Sequence, residues 1–258
     1  LDGGDCEREL DSDDDDADQN TAEVATGSTS TSAATSATTS TVTTVSSLRR
    51  PLFPQLFTGE FADIRATLVD HKYHGLYSTT RQLFQDSLLH DVIGSGWSKS
   101  QPWAIFTAGA MGAGKGHTID WMHQHDYFPV TDVTHIDPDA FRMKFPEWDE
   151  YVALDKTTAG YKTRRESGLL VEIAQEAAMR QNKNVWVDSS LRDAEWFEQV
   201  FKSLRHRHPA YRIAIIFVGA SEETIMRRVA KRAEQTGRVT PVEEIRDSLI
   251  KAPAAVHH

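Results

Sequence analysis

A glycine-rich loop that ends in lysine is the part of the sequence with the clearest chemistry. Residues 109–115 read Gly-Ala-Met-Gly-Ala-Gly-Lys and directly follow the apolar run 103–106. A strand that enters such a loop and continues into a helix directs backbone N–H groups and the positive helix end at one point. Glycines let the backbone approach a phosphate, and the lysine supplies an ammonium for the terminal phosphates. We predict ATP binding by nine consecutive residues: Gly109, Ala110, Met111, Gly112, Ala113, Gly114, Lys115, Gly116 and His117.

The position after the lysine departs from the usual pattern of such loops. A serine or threonine hydroxyl normally stands there and holds Mg²⁺, but this chain has Gly116, followed by His117 and Thr118. Some P-loop kinases that resemble adenylate kinase have the same glycine, so phosphoryl transfer stays open. We expect Mg²⁺ to be held mainly by water, nucleotide phosphates and a distant carboxylate.

Two aspartates follow a strand predicted at residues 133–136, on the turn into a helix. A kinase that acts on a hydroxyl needs a carboxylate to accept or orient its proton. We predict that Asp139 is this base and that Asp137 is the second candidate, in the acceptor site or through the metal. Helix capping is the alternative for one of the two. Arg142, in the same segment, is a predicted acceptor-binding residue.

A further carboxylate follows the strand predicted at residues 185–187. Asp188 is placed to hold Mg²⁺ through water, as a carboxylate at a neighbouring strand end does in P-loop enzymes. Ser190 and Arg192 come directly after it and are predicted to line the acceptor pocket. A capped turn into the next helix is the alternative reading of the serines.

Basic residues cluster on the helix predicted at residues 222–235. Arginines at four-residue spacing share a face of a helix, and a solvated basic face is the usual meaning of such a run. This run lies where a kinase lid would meet the phosphates, and arginine spreads the charge of a transferring phosphoryl group. We predict that Arg238, which follows this helix, is the first candidate to stabilise the transferring phosphoryl group, and that Arg228, on the helix, is the second. The others on the helix are Arg227 and Lys231, which we expect at the surface, and Arg232.

These motifs require a framework that brings strand ends together. Four short apolar strands are predicted, at residues 103–107, 133–136, 185–187 and 213–218. Helices are predicted at residues 61–71, 79–93, 115–125, 161–180, 194–206, 222–235 and 242–251. Alternating strands and helices indicate parallel pairing through helical crossovers, with ligands at the carboxyl ends of the strands. We predict an α/β protein with a P-loop kinase-like three-layer fold, a parallel sheet covered by helices on both faces.

Composition divides the chain of 258 residues into two parts. Residues 1–20 carry ten acidic side chains and one basic, a net charge of −9, whereas the whole chain carries −10. Residues 21–47 are almost entirely Thr, Ser, Ala and Val, with no periodicity. We predict a disordered tail over residues 1–47 and a kinase domain over residues 48–258, with a helical lead-in at residues 55–98.

The same composition excludes several classes of protein. The near-neutral remainder does not indicate a nucleic-acid surface. The sole cysteine, Cys6, excludes an intrachain disulfide and a cysteine metal site. No apolar run approaches membrane-spanning length, and no signal-peptide core is visible. We expect a cytoplasmic protein without nucleic-acid or membrane partners.

Together the motifs resemble the zeta toxin family of P-loop kinases. The resemblance is carried by residues 109–115, by Ile-Asp-Pro-Asp-Ala-Phe-Arg at 136–142, by Val-Asp-Ser-Ser-Leu-Arg at 187–192, and by the segment from Arg228 to Pro241. It implies an ATP-dependent kinase of a nucleoside-diphosphate sugar; in bacterial members the acceptor is the sugar 3′-hydroxyl of UDP-N-acetylglucosamine. It implies Lys115 as the phosphate-binding lysine, Asp139 as the base, and Arg228 and Arg238 as charge-stabilising arginines. An antitoxin-like protein partner is also implied.

Parts of the sequence depart from the family pattern. The stretch 145–168, where relatives hold the sugar nucleotide, matches poorly and offers Asp155, Lys162 and Thr163 as candidates. Relatives usually add another strand after the point where this chain ends, which suggests truncation. The acidic head suggests a eukaryotic relative with a different acceptor.

Other functions remain open at the sequence level. The Lys115-Gly116 pair leaves open a nucleoside monophosphate or small-molecule kinase. Gly116 and the missing strand favour an inactive nucleotide-binding module that controls a partner. A polynucleotide 5′-kinase is opposed by the near-neutral charge outside the tail.

Overall fold

Four strands form one parallel sheet in the computed structural model, which describes residues 56–236 and 240–257. The tail predicted over residues 1–47 lies outside the described residues. The strands are β1 Trp103–Ala108, β2 Thr134–Ile136, β3 Val185–Val187 and β4 Arg212–Phe217. They are ordered β2-β3-β1-β4, with Ala104 of β1 opposite both Val185 and Ile213. Since every pairing is parallel, the carboxyl ends of all four strands lie at one edge of the sheet.

Helices connect the strands and precede them. A lead-in of α1 Ala62–Thr67, α2 His71–His74 and α3 Thr79–Ile93 comes before β1, and α4 Lys115–Gln124 follows it. Between β2 and β3 lie α5 Pro138–Met143, α6 Trp148–Leu154 and α7 Ala159–Arg180, and a short 3₁₀ helix, Val130–Asp132, precedes β2. The remaining helices are α8 Ala194–Arg207, α9 Glu222–Thr236 and α10 Val242–His257. None of the described helices is long and apolar enough to cross a membrane.

Alternating side chains of the strands fill two apolar layers. On one face Phe106 and Val187 join the main core, against Leu170 and Ile173 of α7. On the other face Ile105 packs with Ile119 of α4, Trp186 and Phe128. Helices therefore cover both faces of the sheet, which confirms the predicted three-layer P-loop kinase-like fold.

Several helices differ from those predicted. The helix predicted at residues 61–71 is divided, because Asp70 adopts an extended backbone and its side chain accepts the N–H of Lys72 to cap α2. Helix α10 runs six residues beyond the predicted end at residue 251. Helix α6 was not predicted; none of its seven residues is buried, although Trp148 packs against the main core.

Candidate active site

The glycine-rich loop leaves β1 in a conformation that only glycine adopts easily. Gly109 and Gly112 have φ of +130° and +86°. A Cβ on Gly109 would lie 2.2 Å from the carbonyl oxygen of Val218, and one on Gly112 would lie 2.7 Å from Cγ2 of Val229. The loop is thus packed tightly between β4 and α9, and its backbone is available to approach a phosphate.

Helix α9 supports the loop from its other side. Ile225 and Val229 of this helix pack on Ala110 and Ala113. Arg228 donates from Nη1 to the carbonyl oxygen of Ala113 at 2.8 Å. The predicted charge-stabilising arginine therefore lies against the phosphate loop.

Lys115 lies at the first position of α4, directly after the loop. Its Nζ donates to the carbonyl oxygen of Gly109 at 3.2 Å, so the ammonium is folded back over the loop. His117 and Gly116 are exposed on the same first turn. The nine predicted nucleotide-binding residues thus run from the carboxyl end of β1 into the first turn of α4, and Gly109, Ala110 and Ala113 among them are buried.

Two carboxylates follow the neighbouring strands β2 and β3. The N–H of Asp188 donates to the carbonyl oxygen of Ile136 at 2.9 Å, and the hydroxyl of Thr107 donates to Asp188 Oδ1 at 2.7 Å. Burial raises the pKa of Asp137, and the nearby charges of Asp139 and Asp188 act in the same direction. Asp137 therefore lies close enough to Asp139 and Asp188 for their charges to act on it.

Helix capping, one alternative for this pair of aspartates, falls to Asp137, and the role of Asp139 as the base stays a prediction. Asp137 caps α5, because its Oδ1 accepts the N–H of Asp139 at 2.7 Å. Asp139 contacts two arginines: Arg142 Nη1 lies 3.3 Å from its Oδ1, and Arg232 Nη2 lies 3.7 Å from its Oδ2. Arg142 also donates from Nη2 to the hydroxyl of Ser167 in α7 at 3.3 Å.

Arg232 is a site residue that sequence reasoning missed. It was named on the basic helix without a role, yet its guanidinium reaches the carboxylate of Asp139. The signal was its spacing, since Arg232 follows Arg228 by four residues and lies on the same face of α9. Arg227 and Lys231 are exposed, as expected.

Other predicted residues lie elsewhere or take part in local structure. Arg192 is exposed and lines a separate cavity of about 700 Å³, together with Asp193, Ala194, Glu195, Glu243, Glu244, Asp247 and Lys251. The carbonyl oxygen of Ser190 accepts the N–H of Gly109 at 3.1 Å, so Ser190 adjoins the loop. Arg238 lies outside the described residues.

The acceptor candidates of residues 145–168 are mostly engaged with their neighbours. Asp155 accepts from the hydroxyls of Thr157 and Thr158 at 2.6 and 2.9 Å. Thr163 is buried and donates to the carbonyl oxygen of Ala159 at 3.0 Å. Lys162 lies at the surface, with its Nζ 5.0 Å from the ring centre of Tyr151.

The residues present suit Mg²⁺ in their donor chemistry. Carboxylate oxygens are the ligands this ion prefers, and the raised pKa of Asp137 marks a place where a cation would relieve repulsion. Within the described ranges, no group of three or more His, Cys, Asp or Glu side chains is arranged to hold a metal alone. Water and nucleotide phosphates would therefore complete the coordination around Asp188.

Strand, glycine loop and helix, with carboxylates at the neighbouring strand ends, define a P-loop nucleotide-binding phosphotransferase. The sequence also identifies the family. The zeta toxin family model matches residues 89–258, which is more than half of the chain, so the protein belongs to this family. No curated protein matches the chain.

Several solved structures are similar to this chain to different degrees. A structure of the PezAT chromosomal toxin–antitoxin system of Streptococcus pneumoniae matches with a TM-score of 0.56 at 20% identity, covering 68% of this chain and 72% of that one. The AvrRxo1-ORF1:-ORF2 complex matches at 0.47 and 12% identity, over 71% and 60%. The Pnkp1/Rnl/Hen1 RNA repair complex matches at 0.44 and 17% identity, over 62% and 47%. At 20% identity the likeness to the PezAT structure concerns the fold alone.

Proposed function

We propose that this protein transfers the γ-phosphoryl group of ATP to a hydroxyl of a small nucleotide-type acceptor, with UDP-N-acetylglucosamine as the first candidate. One observation supports this most strongly. Arg228 contacts the phosphate loop and Arg232, one helical turn further along α9, contacts Asp139. A turn spans about 5.4 Å, so a carboxylate suited to a base lies within reach of a phosphate on the loop.

Each side chain has a defined part in this reaction. The loop N–H groups and Lys115 bind the phosphates, for which Lys115 exchanges the carbonyl oxygen of Gly109 for phosphate oxygens. Asp139 orients the acceptor hydroxyl and takes its proton as the new O–P bond forms. Arg228 and Arg232 offset the charge of the transferring group. Bound Mg²⁺, held through Asp188, supplies further charge neutralisation on the phosphates.

The test is mass spectrometry of acceptors incubated with the protein, ATP and Mg²⁺. The panel contains UDP-N-acetylglucosamine, other nucleotide sugars, nucleoside monophosphates and an RNA 5′-end. We expect a gain of one phosphate on a nucleotide sugar, lost in Lys115→Ala and Asp139→Asn. Lys202→Ala and Asp126→Asn are matched controls at exposed positions and should keep wild-type turnover.

The outcomes separate the candidate functions. A lysine-dependent gain on a different compound keeps the kinase and changes its acceptor. A gain that persists in Asp139→Asn removes this carboxylate as the base. No gain on any compound, with ATP binding intact, contradicts phosphoryl transfer and favours the inactive nucleotide-binding module.

That module is the second candidate, and Gly116 favours it. The position lacks the hydroxyl that normally binds Mg²⁺, and open space surrounds it. Slow ATP hydrolysis that Asp139→Asn abolishes would argue against the module. Family membership further supports, as proposals, an antitoxin-like protein partner and a cytoplasmic location; copurification with a partner encoded nearby would test the first.

A further inference from the structure

Arg81 of the lead-in helix α3 holds an unusual number of contacts. Its guanidinium makes a two-point ion pair with Glu166, at 2.7 Å from Nε to Oε1 and 2.9 Å from Nη2 to Oε2. It makes another with Glu147, at 3.0 and 3.1 Å. It also lies 5.1 Å from the ring centres of Phe84 and Phe145. These contacts fix the guanidinium in one orientation, since two planar forks and two rings constrain it.

Both partners of Arg81 follow the segment that carries Asp139. Glu147 is the N-cap of α6, a few residues after α5, and Glu166 precedes Ser167 in α7. Ser167 accepts a hydrogen bond from Arg142, whose other nitrogen contacts Asp139. Arg81 is therefore connected to the carboxylate through one backbone step and three side-chain contacts.

Polar contacts add to a partly apolar placement of this segment. Phe145 is buried in the main core and Trp148 of α6 packs against it, but none of the residues of α6 is itself buried. The packing of α3 on α7, in contrast, already has Leu88, Leu89 and Ile93 in the main core. Arg81 is therefore not needed to hold α3 against α7, whereas it does contact the junction between α5 and α6.

We propose that Arg81 is a positioning residue of the phosphoryl-transfer site, which fixes the α5–α7 segment so that Asp139 and Arg142 face the acceptor. The inference rests on the proposed function. It extends the catalytic unit beyond the family match, which begins at residue 89, into the lead-in helix. A shift of about 1 Å in a reacting group can cost about 100-fold in rate.

The experiment compares Arg81→Gln with Arg180→Gln. Arg180 is a matched control because it also pairs with two carboxylates, Glu176 and Asp63, and joins α7 to the lead-in. It lies 14 residues beyond Glu166 on α7, about 20 Å away. Steady-state constants for ATP and for the best acceptor of the panel are measured below the thermal midpoint of each variant. Where Arg81→Gln does not fold, Glu147→Gln replaces it.

We expect kcat/KM for the acceptor to fall about 10- to 100-fold in Arg81→Gln, with KM for ATP within about twofold of wild type. Arg81→Lys, which can pair with one carboxylate at a time, should recover part of the loss. Arg180→Gln should keep both constants. Equal losses for ATP and acceptor, or wild-type constants in Arg81→Gln, would overturn the proposal.

Amide hydrogen exchange tests the positioning role of Arg81 independently of the proposed function. Arg81→Gln should speed exchange across residues 138–154 and leave residues 109–124 unchanged, whereas Arg180→Gln should change neither. If the wild-type protein phosphorylates no acceptor, the proposed function fails, and exchange alone decides the positioning role. Unchanged protection of residues 138–154 would then reject it.

Discussion

Gly109 and Gly116 lie at opposite ends of the phosphate loop, and alanine should have opposite effects at the two positions. Gly109 has φ of +130°, and a Cβ there would lie 2.2 Å from the carbonyl oxygen of Val218. Gly116 lies in the first turn of α4, and a Cβ there meets no atom within 4 Å. Gly116→Ala is therefore a control in the same loop.

The magnitude follows from two costs of Gly109→Ala. An alanine held in this backbone region costs about 1–3 kcal/mol. The Cβ contact is also about 1.2 Å shorter than the 3.4 Å at which ordinary contact begins, so β1 or the residues after β4 must move. Overpacking of this kind costs about 1–3 kcal/mol. The sum, about 2–6 kcal/mol, is a large part of a typical stability of about 5–15 kcal/mol.

Urea unfolding and calorimetric titration with ATP and Mg²⁺ measure both consequences. Gly109→Ala should lower the free energy of unfolding by about 2–6 kcal/mol and lose ATP binding, since the backbone that meets the phosphates is displaced. Gly116→Ala should keep ATP binding and gain up to about 1 kcal/mol, because alanine favours a helix over glycine. Wild-type stability and ATP affinity in Gly109→Ala would show that the loop does not pack against Val218 as described.

Three further predictions concern the carboxylates, the metal and pH. Asp137→Asn should raise the free energy of unfolding at pH 7 by about 0.5–2 kcal/mol, measured in urea, and reduce phosphoryl transfer; asparagine still caps α5 but removes a carboxylate whose pKa burial raises. Gly116→Ser should strengthen the Mg²⁺ dependence of ATP binding in calorimetry, since the space admits a hydroxyl; an unchanged dependence would contradict this. Burial lowers the pKa of His74, but its contacts with Glu172 and the carbonyl oxygen of Arg165 outweigh this and leave the pKa raised. These contacts stabilise the fold fully below about pH 6.5, and this stabilisation is lost as the pH rises through the raised pKa of His74. His74→Gln should therefore make the thermal midpoint depend less on pH between pH 5 and 8.

Much of the fold could be predicted because its signals are local. β3 and α3 occur at the predicted residues, since a short apolar run between polar turns and a capped, periodic helix are both visible in the sequence. The phosphate loop could be predicted for the same reason, because the conformation of its own backbone requires the glycines. The parallel sheet then follows from chain order, because strands separated by long helices must cross over.

The acceptor side could be predicted less well, because tertiary contacts determine it. No residue of helix α6 is buried, and its N-cap, Glu147, pairs with Arg81, far away in the sequence. Arg192 was assigned to the acceptor pocket from its place after β3, but the chain turns at Leu191, with φ of +54°, and the side chain points to another cavity. Neither contact leaves a pattern of spacing that sequence reasoning could use.

Helix α9 joins the two halves of the candidate site. Arg228 holds the phosphate loop through the carbonyl oxygen of Ala113, and Arg232 holds Asp139. Phosphates bound to the loop would compete for both guanidiniums, because a phosphate accepts a stronger hydrogen bond than a neutral carbonyl oxygen does. If Arg232 turned towards the nucleotide, it would no longer pair with Oδ2 of Asp139, while Arg142 would keep its contact with Oδ1. ATP binding would in this way change the charge around the proposed base.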